Sequence, residues 1–537
     1  MGYMDELLKT AKKKGEEKQP AKETATGGTQ KRPEKQKARL PESIPVRKPE
    51  TREGILEAEY VGKRTRIASY GPVEIFRVEG KPLLIYAVPV IKPAGPEKVV
   101  VNTIKEAATR LITVAPEDIR DPVRRRNYYF KQVKDIILSS PELGVPQTKV
   151  DFYADIVVRE MIGYGALDPL TQDDGLEEVM VIGPDRPVYV FHRKYEMLET
   201  NIIFGTDEEI RNIISRIARD VNRRVDQSNP MLDARLPDGS RVNATVPPVS
   251  LGGSTLTIRK FRADPLTVVD LVRNKTLDPE IAAMLWMAVD GAGGKPANVL
   301  VSGGTSSGKT SMLNVLCSLI PSRERIITIE DTAELLLPVD HWVRFETRPP
   351  GLEGTGEITM DMLVKNSLRM RPDRIIVGEV RGEEAFTLFS AINTGHQGSM
   401  GTLHANSADE TITRVLNPPM NVPAAMVGAL DMVVTMQRVF DRRKGLIRRV
   451  TEIAEVFGVT KEGPQLQVVY EWDPATDRIR ETGAPSRYKQ TLSKFTGLSK
   501  HDIDKELKDR QKFIESMVSK EVSGMKSVIA ELRKFGA

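Results

Sequence analysis

The 537-residue sequence predicts an α/β fold, a parallel sheet covered by helices on both faces, preceded by an α+β region and a basic tail. From Val299 onward, short apolar runs alternate with stretches of helical periodicity, the pattern of a sheet buried on both sides. The first of these runs leads directly into Gly303-Gly304-Thr305-Ser306-Ser307-Gly308-Lys309-Thr310, which fits G-x-x-x-x-G-K-[ST] in full. A helix-like run beginning at Ser311 follows, so the motif sits between a strand and a helix, the context it requires. Strands are expected at 299–302, 325–330, 342–347, 374–379, 398–404 and 429–436.

The glycines of this loop let the backbone curl so that successive N–H groups point at phosphate oxygens, and the following helix adds the positive end of its dipole. Gly303 to Ser311 are therefore expected to hold a nucleotide triphosphate, with Lys309 on the β- and γ-phosphates and the Thr310 hydroxyl on Mg²⁺. Phosphate should lie at the carboxyl ends of the strands, where the sequence offers three more candidates. The run 374–379 ends in Glu379, the layout of a Walker B strand with Glu in place of the commoner Asp, a second ligand to Mg²⁺ through water. The run 326–331 ends in Glu330-Asp331, and Glu330 is the candidate for polarising the attacking water. Gly398 to Asn406 places His404 at a strand end, a candidate contact for the γ-phosphate.

Toward the N-terminus, residues 1–52 hold 14 Lys/Arg against 8 Asp/Glu and almost no large apolar side chains after Leu8, so a disordered basic tail is expected, with a short amphipathic helix near 5–14. It accounts for the net charge of +5, because the rest of the chain is near neutral. Residues 53–147 read as a small α+β region, with short strands broken by Gly71-Pro72 and Gly80-Lys81 and then helices. Residues 148–262 read as a second α+β domain, in which Asp238-Gly239 signals a hairpin between Arg235 and Arg241. With Arg259, these arginines form a solvated edge or fingers that reach a phosphate held by another domain. A linker is expected at 263–275, the nucleotide-binding domain at 276–480, and charged helices at 481–537.

Composition narrows the class. With Cys317 as the only cysteine, the chain has no intramolecular disulfide or cysteine metal cluster, and Cys317 falls on the apolar side of a helix. No apolar run approaches the ~20 residues that a membrane span needs, which points to the cytoplasm. A hexameric nucleic-acid motor is the rival reading; a near-neutral body without interleaved aromatic and basic strands disfavours it, and no nucleic acid is expected.

The phosphate loop, Ile329-Glu330-Asp331, Val377-Gly378-Glu379 and Gly401-Thr402-Leu403-His404-Ala405, in this order, resemble the four boxes of the type II/type IV secretion ATPases. The resemblance covers roughly residues 151–436, including Leu236-Pro237-Asp238-Gly239-Ser240-Arg241 and Thr257-Ile258-Arg259-Lys260-Phe261. It implies a RecA-like core in a homohexamer, with ATP and Mg²⁺ bound, Glu330 as catalytic acid, Glu379 as the Walker B carboxylate and His404 as γ-phosphate sensor. It further implies that Arg235, Arg241 and Arg259 belong to a domain that closes on nucleotide, in part from a neighbouring subunit. The runs Val190 to Tyr195 and Thr200 to Ile202 are most similar to the archaeal branch and its archaellum motors. That likeness implies a hexameric ATPase at the inner face of the cell membrane, driving filament assembly and rotation through a polytopic platform protein, with an inactive ATPase-like partner. An archaeal pilus or type II-like secretion ATPase is the alternative.

Overall fold

In the computed structural model, the described residues are 55–535 apart from 59, 91–94, 114–118, 120–121, 262–263, 351–353 and 443. The expected tail and its short helix lie outside them. The chain divides after Phe261 into two units.

The first unit is built on one ten-stranded sheet. Its strands are β1 (Ile55–Glu57), β2 (Arg64–Tyr70), β3 (Val73–Val78), β4 (Leu84–Ala87), β5 (Leu176–Val181), β6 (Pro187–His192), β7 (Glu196–Phe204), β8 (Met231–Arg235), β9 (Arg241–Thr245) and β10 (Thr255–Arg259). The early strands, read from sequence as a small sheet of their own, extend this larger one, because β4 runs parallel to β7 with Ile85 opposite Glu199. Sequence could not show that pairing, since more than a hundred residues separate the partners. Helix Asp207–Asp220 begins with a reciprocal cap between Thr206 and Glu209 and buries Ile210, Ile213, Ile214 and Ile217 against the sheet. Helices Gly95–Leu111, Pro122–Leu138 and Val150–Ile162 share a separate apolar core.

The second unit carries a nine-stranded sheet: β11 (Val299–Gly303), β12 (Ile326–Glu330), β13 (Trp342–Glu346), β14 (Arg374–Val377), β15 (Met400–Leu403), β16 (Met432–Asp441), β17 (Gly445–Thr460), β18 (Gly463–Asp473) and β19 (Arg478–Glu481). The order is β13-β12-β14-β15-β11-β16-β17-β18-β19. The first six positions are joined in parallel and the last three antiparallel. All six strands expected from the apolar runs are present. Alternation along β11 feeds two cores: Val299 and Val301 face one and Leu300 the other. Helices Pro279–Asp290 and Lys309–Ser318 pack on the first face, and Met360–Ser367, Glu384–Asn393 and Ala408–Leu416 on the second.

The stretch expected as a linker contains a helix, Val268–Arg273, capped by Thr267 and Asp270, with Val268, Val269 and Leu271 buried. Its apolar Val-Val-x-Leu-Val run gains more from burial than a solvated connector can. The C-terminal helices pack in the same way: Phe535 and Phe513 lie against Trp286, with ring centroids 4.9 and 6.2 Å away, and Arg510 covers that ring at 4.8 Å.

Candidate active site

The phosphate loop begins where β11, buried along its whole length, runs out at Gly303. A Cβ there would stand 2.4 Å from both the Met436 carbonyl oxygen and Ser307 Oγ, so only glycine fits. Gly308 closes the loop at φ 98°, a left-handed turn, and Lys309 opens the helix. Lys309 is buried, and its chain folds back into the loop: Nζ donates to the Gly304 carbonyl at 3.0 Å and lies 3.4 Å from His404 Nδ1. Burial pulls its pKa down, opposed by Glu379 and assisted by Arg381. Ser307 Oγ is buried with no hydrogen-bond partner among the described residues. Thr305 and Ser306 are exposed, and Thr310 and Ser311 are half-buried at the start of the helix.

At the carboxyl edge of the sheet, the structure brings Glu379 and His404 together beside Lys309. Glu379 lies two residues beyond the end of β14, which stops at Val377. Its Oε2 accepts from Arg381 Nη2 at 2.5 Å, and its Oε1 stands 3.0 Å from His404 Nε2 without the alignment of a hydrogen bond. Burial works against this carboxylate, but Arg381, with His404 and Lys309, outweighs it and holds the pKa below the usual range. The His404 pKa is shifted down, toward the neutral ring: burial lowers it, Lys309 lowers it further, and Glu379 pulls the other way. Arg381 also reaches Asp331, Nη1 to Oδ2, at 3.3 Å. The result is a row along one edge in which His404 stands between Lys309 and Glu379, followed by Arg381 and Asp331.

Glu330 is set apart, 2% exposed at the end of β12. Its Oε2 accepts from the Glu334 and Leu335 amides at 2.8 and 2.9 Å, while Oε1 is buried with no partner among the described residues. Burial pushes the carboxyl up to about 7, against the pull of those two amides. The neighbouring strand end must come close, for a Cβ on Gly378 would sit 2.8 Å from Glu330 Cγ. The Gly378 carbonyl in turn accepts from Thr402 Oγ1 at 2.6 Å, which ties β14 to β15.

Two residues of this site escaped the sequence reading. Arg381 stands two positions after Glu379, and that proximity was the available signal. Arg448, on β17, donates from Nε to the Ser306 carbonyl at 2.9 Å, a contact between residues 142 positions apart for which sequence carries no signal.

In the first unit, the three arginines fall into one row. Arg235 pairs across the β8–β9 hairpin with Arg241, Arg241 pairs with Arg259 on β10, and Arg259 pairs with Glu178 on β5. Directly opposed residues of antiparallel strands share a face, so the three guanidinium groups project from the same side of the sheet. The hairpin that starts the row is closed by the Gly239 amide on the Leu236 carbonyl at 2.9 Å, and Ser240 N donates to Asp238 Oδ1 at 2.9 Å. Like charges directly opposed across a sheet repel, and Glu178, opposite Arg259 at the end of the row, supplies a carboxylate beside it.

Residues 163–472 match the family described as type II/IV secretion system protein. A Methanocaldococcus jannaschii protein is 33% identical over 79% of this chain and 76% of its own length, and a second from that organism is 57% identical over 44% of this chain. The latter match spans only 33% of that relative's length. PtlH, a type IV secretion system protein of Bordetella pertussis, is 31% identical over 57% of this chain and 95% of its own length. With the family match covering more than half of the sequence, the chain belongs to the type II/IV secretion family, and its second unit carries the phosphate loop between β11 and the helix Lys309–Ser318.

Proposed function

We propose that this protein is a hexameric, Mg²⁺-dependent ATPase that drives assembly of an archaeal filament of the type IV pilus kind, the archaellum being the first candidate. The observation that carries the enzymatic reading is the Lys309–His404–Glu379 chain at the mouth of the phosphate loop, with Glu330 behind it. The residues fit a nucleotide with its metal. The loop has a glycine cradle at Gly303 and, among the described residues, a Ser307 hydroxyl with no partner and a buried lysine whose acceptors are the Gly304 carbonyl and His404 Nδ1, with no carboxylate in contact. Thr310 and Glu379 would hold Mg²⁺, which when bound neutralises charge on the phosphate oxygens.

Lys309 exchanges the Gly304 carbonyl for β- and γ-phosphate oxygens, and the loop amides of 303–311 close around them. His404, set between Lys309 and Glu379, registers whether Lys309 has moved onto a γ-phosphate. Glu330, anchored by one oxygen and with no partner among the described residues at the other, takes a proton from water in its ionised form. The arginine row of the first unit meets developing negative charge on the γ-phosphate of a neighbouring subunit. Opening and closing of that clamp around the ring is the motion passed to a polytopic membrane platform, with the protein working at the cytoplasmic face of the membrane. An inactive ATPase-like partner is the expected regulator. The likeness to PtlH favours a type IV secretion substrate as the second reading.

The test is phosphate release by purified wild type, Lys309→Ala and Glu330→Gln, run beside size measurement and filament counts in cells lacking the gene. Both variants should lose turnover, Lys309→Ala with loss of binding and Glu330→Gln with binding retained. Turnover that survives Glu330→Gln would remove Glu330 from the mechanism. Normal filaments in cells lacking the protein would remove the filament reading and leave secretion.

A further inference from the structure

The antiparallel strand β17 reaches back to the phosphate loop through Arg448. Besides the bond from Nε to the Ser306 carbonyl, its Cδ lies 3.6 Å from where a Cβ on Gly308 would stand, so the side chain runs along the loop. Ser306 sits at φ 58°, a left-handed conformation that a non-glycine residue keeps only where its surroundings hold it. In a trans peptide the carbonyl and the next N–H point opposite ways, so the bond on Ser306 also aims the Ser307 amide. That amide meets the Gly304 carbonyl at 3.3 Å, the same oxygen that Lys309 Nζ occupies.

Arg448 is itself held in place. Its neighbour Arg449, 3% exposed, is gripped by Asp477 through Nε at 2.8 Å and Nη2 at 3.0 Å, and its Nη1 donates to the Arg448 carbonyl at 2.8 Å. Asp477 also accepts from Trp472 Nε1 at 3.2 Å and Lys444 Nζ at 2.5 Å. Successive strand residues point to opposite faces, so locking Arg449 inward turns Arg448 toward the loop. The pairing of β16 with β17 slips between Thr435 and Met436, beside the Met436 carbonyl that walls Gly303. Such a slip re-aims the residues that follow it.

We propose that Arg448 is a positioning residue for nucleotide: a latch on the outside of the phosphate loop that sets the Ser306–Ser307 peptide before phosphate arrives. It touches no reacting atom, and it acts on affinity rather than on the chemical step. The inference rests on the nucleotide reading of the loop. The test uses the full chain carrying Arg448→Met or Arg448→Lys. Amide hydrogen exchange of the loop is measured without nucleotide, then binding of a fluorescent ADP with Mg²⁺, then kcat and KM for ATP.

Arg448→Met should speed exchange across 303–308, weaken ADP binding about tenfold, the worth of one charge-assisted hydrogen bond, and raise KM with kcat nearly unchanged. Arg448→Lys, which can still donate to the carbonyl, should recover most of both losses. Unchanged exchange and affinity in Arg448→Met would overturn the latch. So would a lysine variant as impaired as the methionine one, with an equal drop in melting temperature, since that marks a packing role. If wild type binds no ADP, the nucleotide reading fails, and the exchange measurement still decides whether Arg448 holds the loop.

Discussion

Glu330 is the residue at which burial and chemistry are most closely joined. The folded chain holds its proton up to about pH 7, whereas a free glutamate releases it near 4.5. Folding therefore takes up a proton between those values, and this group's contribution to stability falls as pH rises across the window. Above it the penalty reaches about 3 kcal/mol. Glu330→Gln keeps an acceptor for the Glu334 and Leu335 amides and removes the charge. At about pH 8, urea titration should find the variant more stable than wild type by up to roughly 3 kcal/mol, a gap that closes toward pH 5. Equal stability at the higher pH would mean that the carboxyl is not held in this state. If Glu330 is the base, wild-type turnover should rise with pH through about 7 while Glu330→Gln stays inactive.

At the scale of the element, β14 is set at both ends. At its start Arg374, fully buried, is gripped by Glu324 through Nε at 2.5 Å and Nη2 at 3.1 Å. At its far end Gly378 closes on Glu330. Sequence made the strand legible through its apolar run, and placed Glu379 at its tip. It gave no hint that the arginine opening the run is the largest fully buried side chain among the described residues, because that depends on Glu324 of a preceding turn. Glu324→Leu leaves a buried guanidinium without its counter-charge and should destabilise the second unit by about 3–5 kcal/mol, read as a lower urea midpoint. An unchanged midpoint would show the pair to be dispensable.

For the whole molecule, the central expectation is that one subunit's phosphate loop works with arginines of another. Turnover per subunit should then rise with protein concentration as rings assemble. A mixing experiment tests the same point. Subunits with Arg235, Arg241 and Arg259 all changed to Ala should be inactive, as should Glu330→Gln subunits, yet an equimolar mixture should regain part of the activity. An intact loop in one then meets intact arginines in the other. A mixture as inactive as its parts would place the arginines in the same subunit as the nucleotide, or outside the mechanism.

The sequence by itself determined the six parallel strands of the second unit, the phosphate loop and the acids and histidine at strand ends, because each is written in contiguous residues whose period or spacing follows from local geometry. It also marked the hairpin at Asp238-Gly239, for the same reason. Only the tertiary structure decided what depends on distant partners. It set the early strands into the larger sheet and turned the supposed linker into a buried helix. It aligned Arg235, Arg241 and Arg259 by strand register, left one oxygen of Glu330 without a partner among the described residues, and brought Arg448 from β17 onto the loop. Pairing and burial depend on which segments meet, and a local pattern does not specify that.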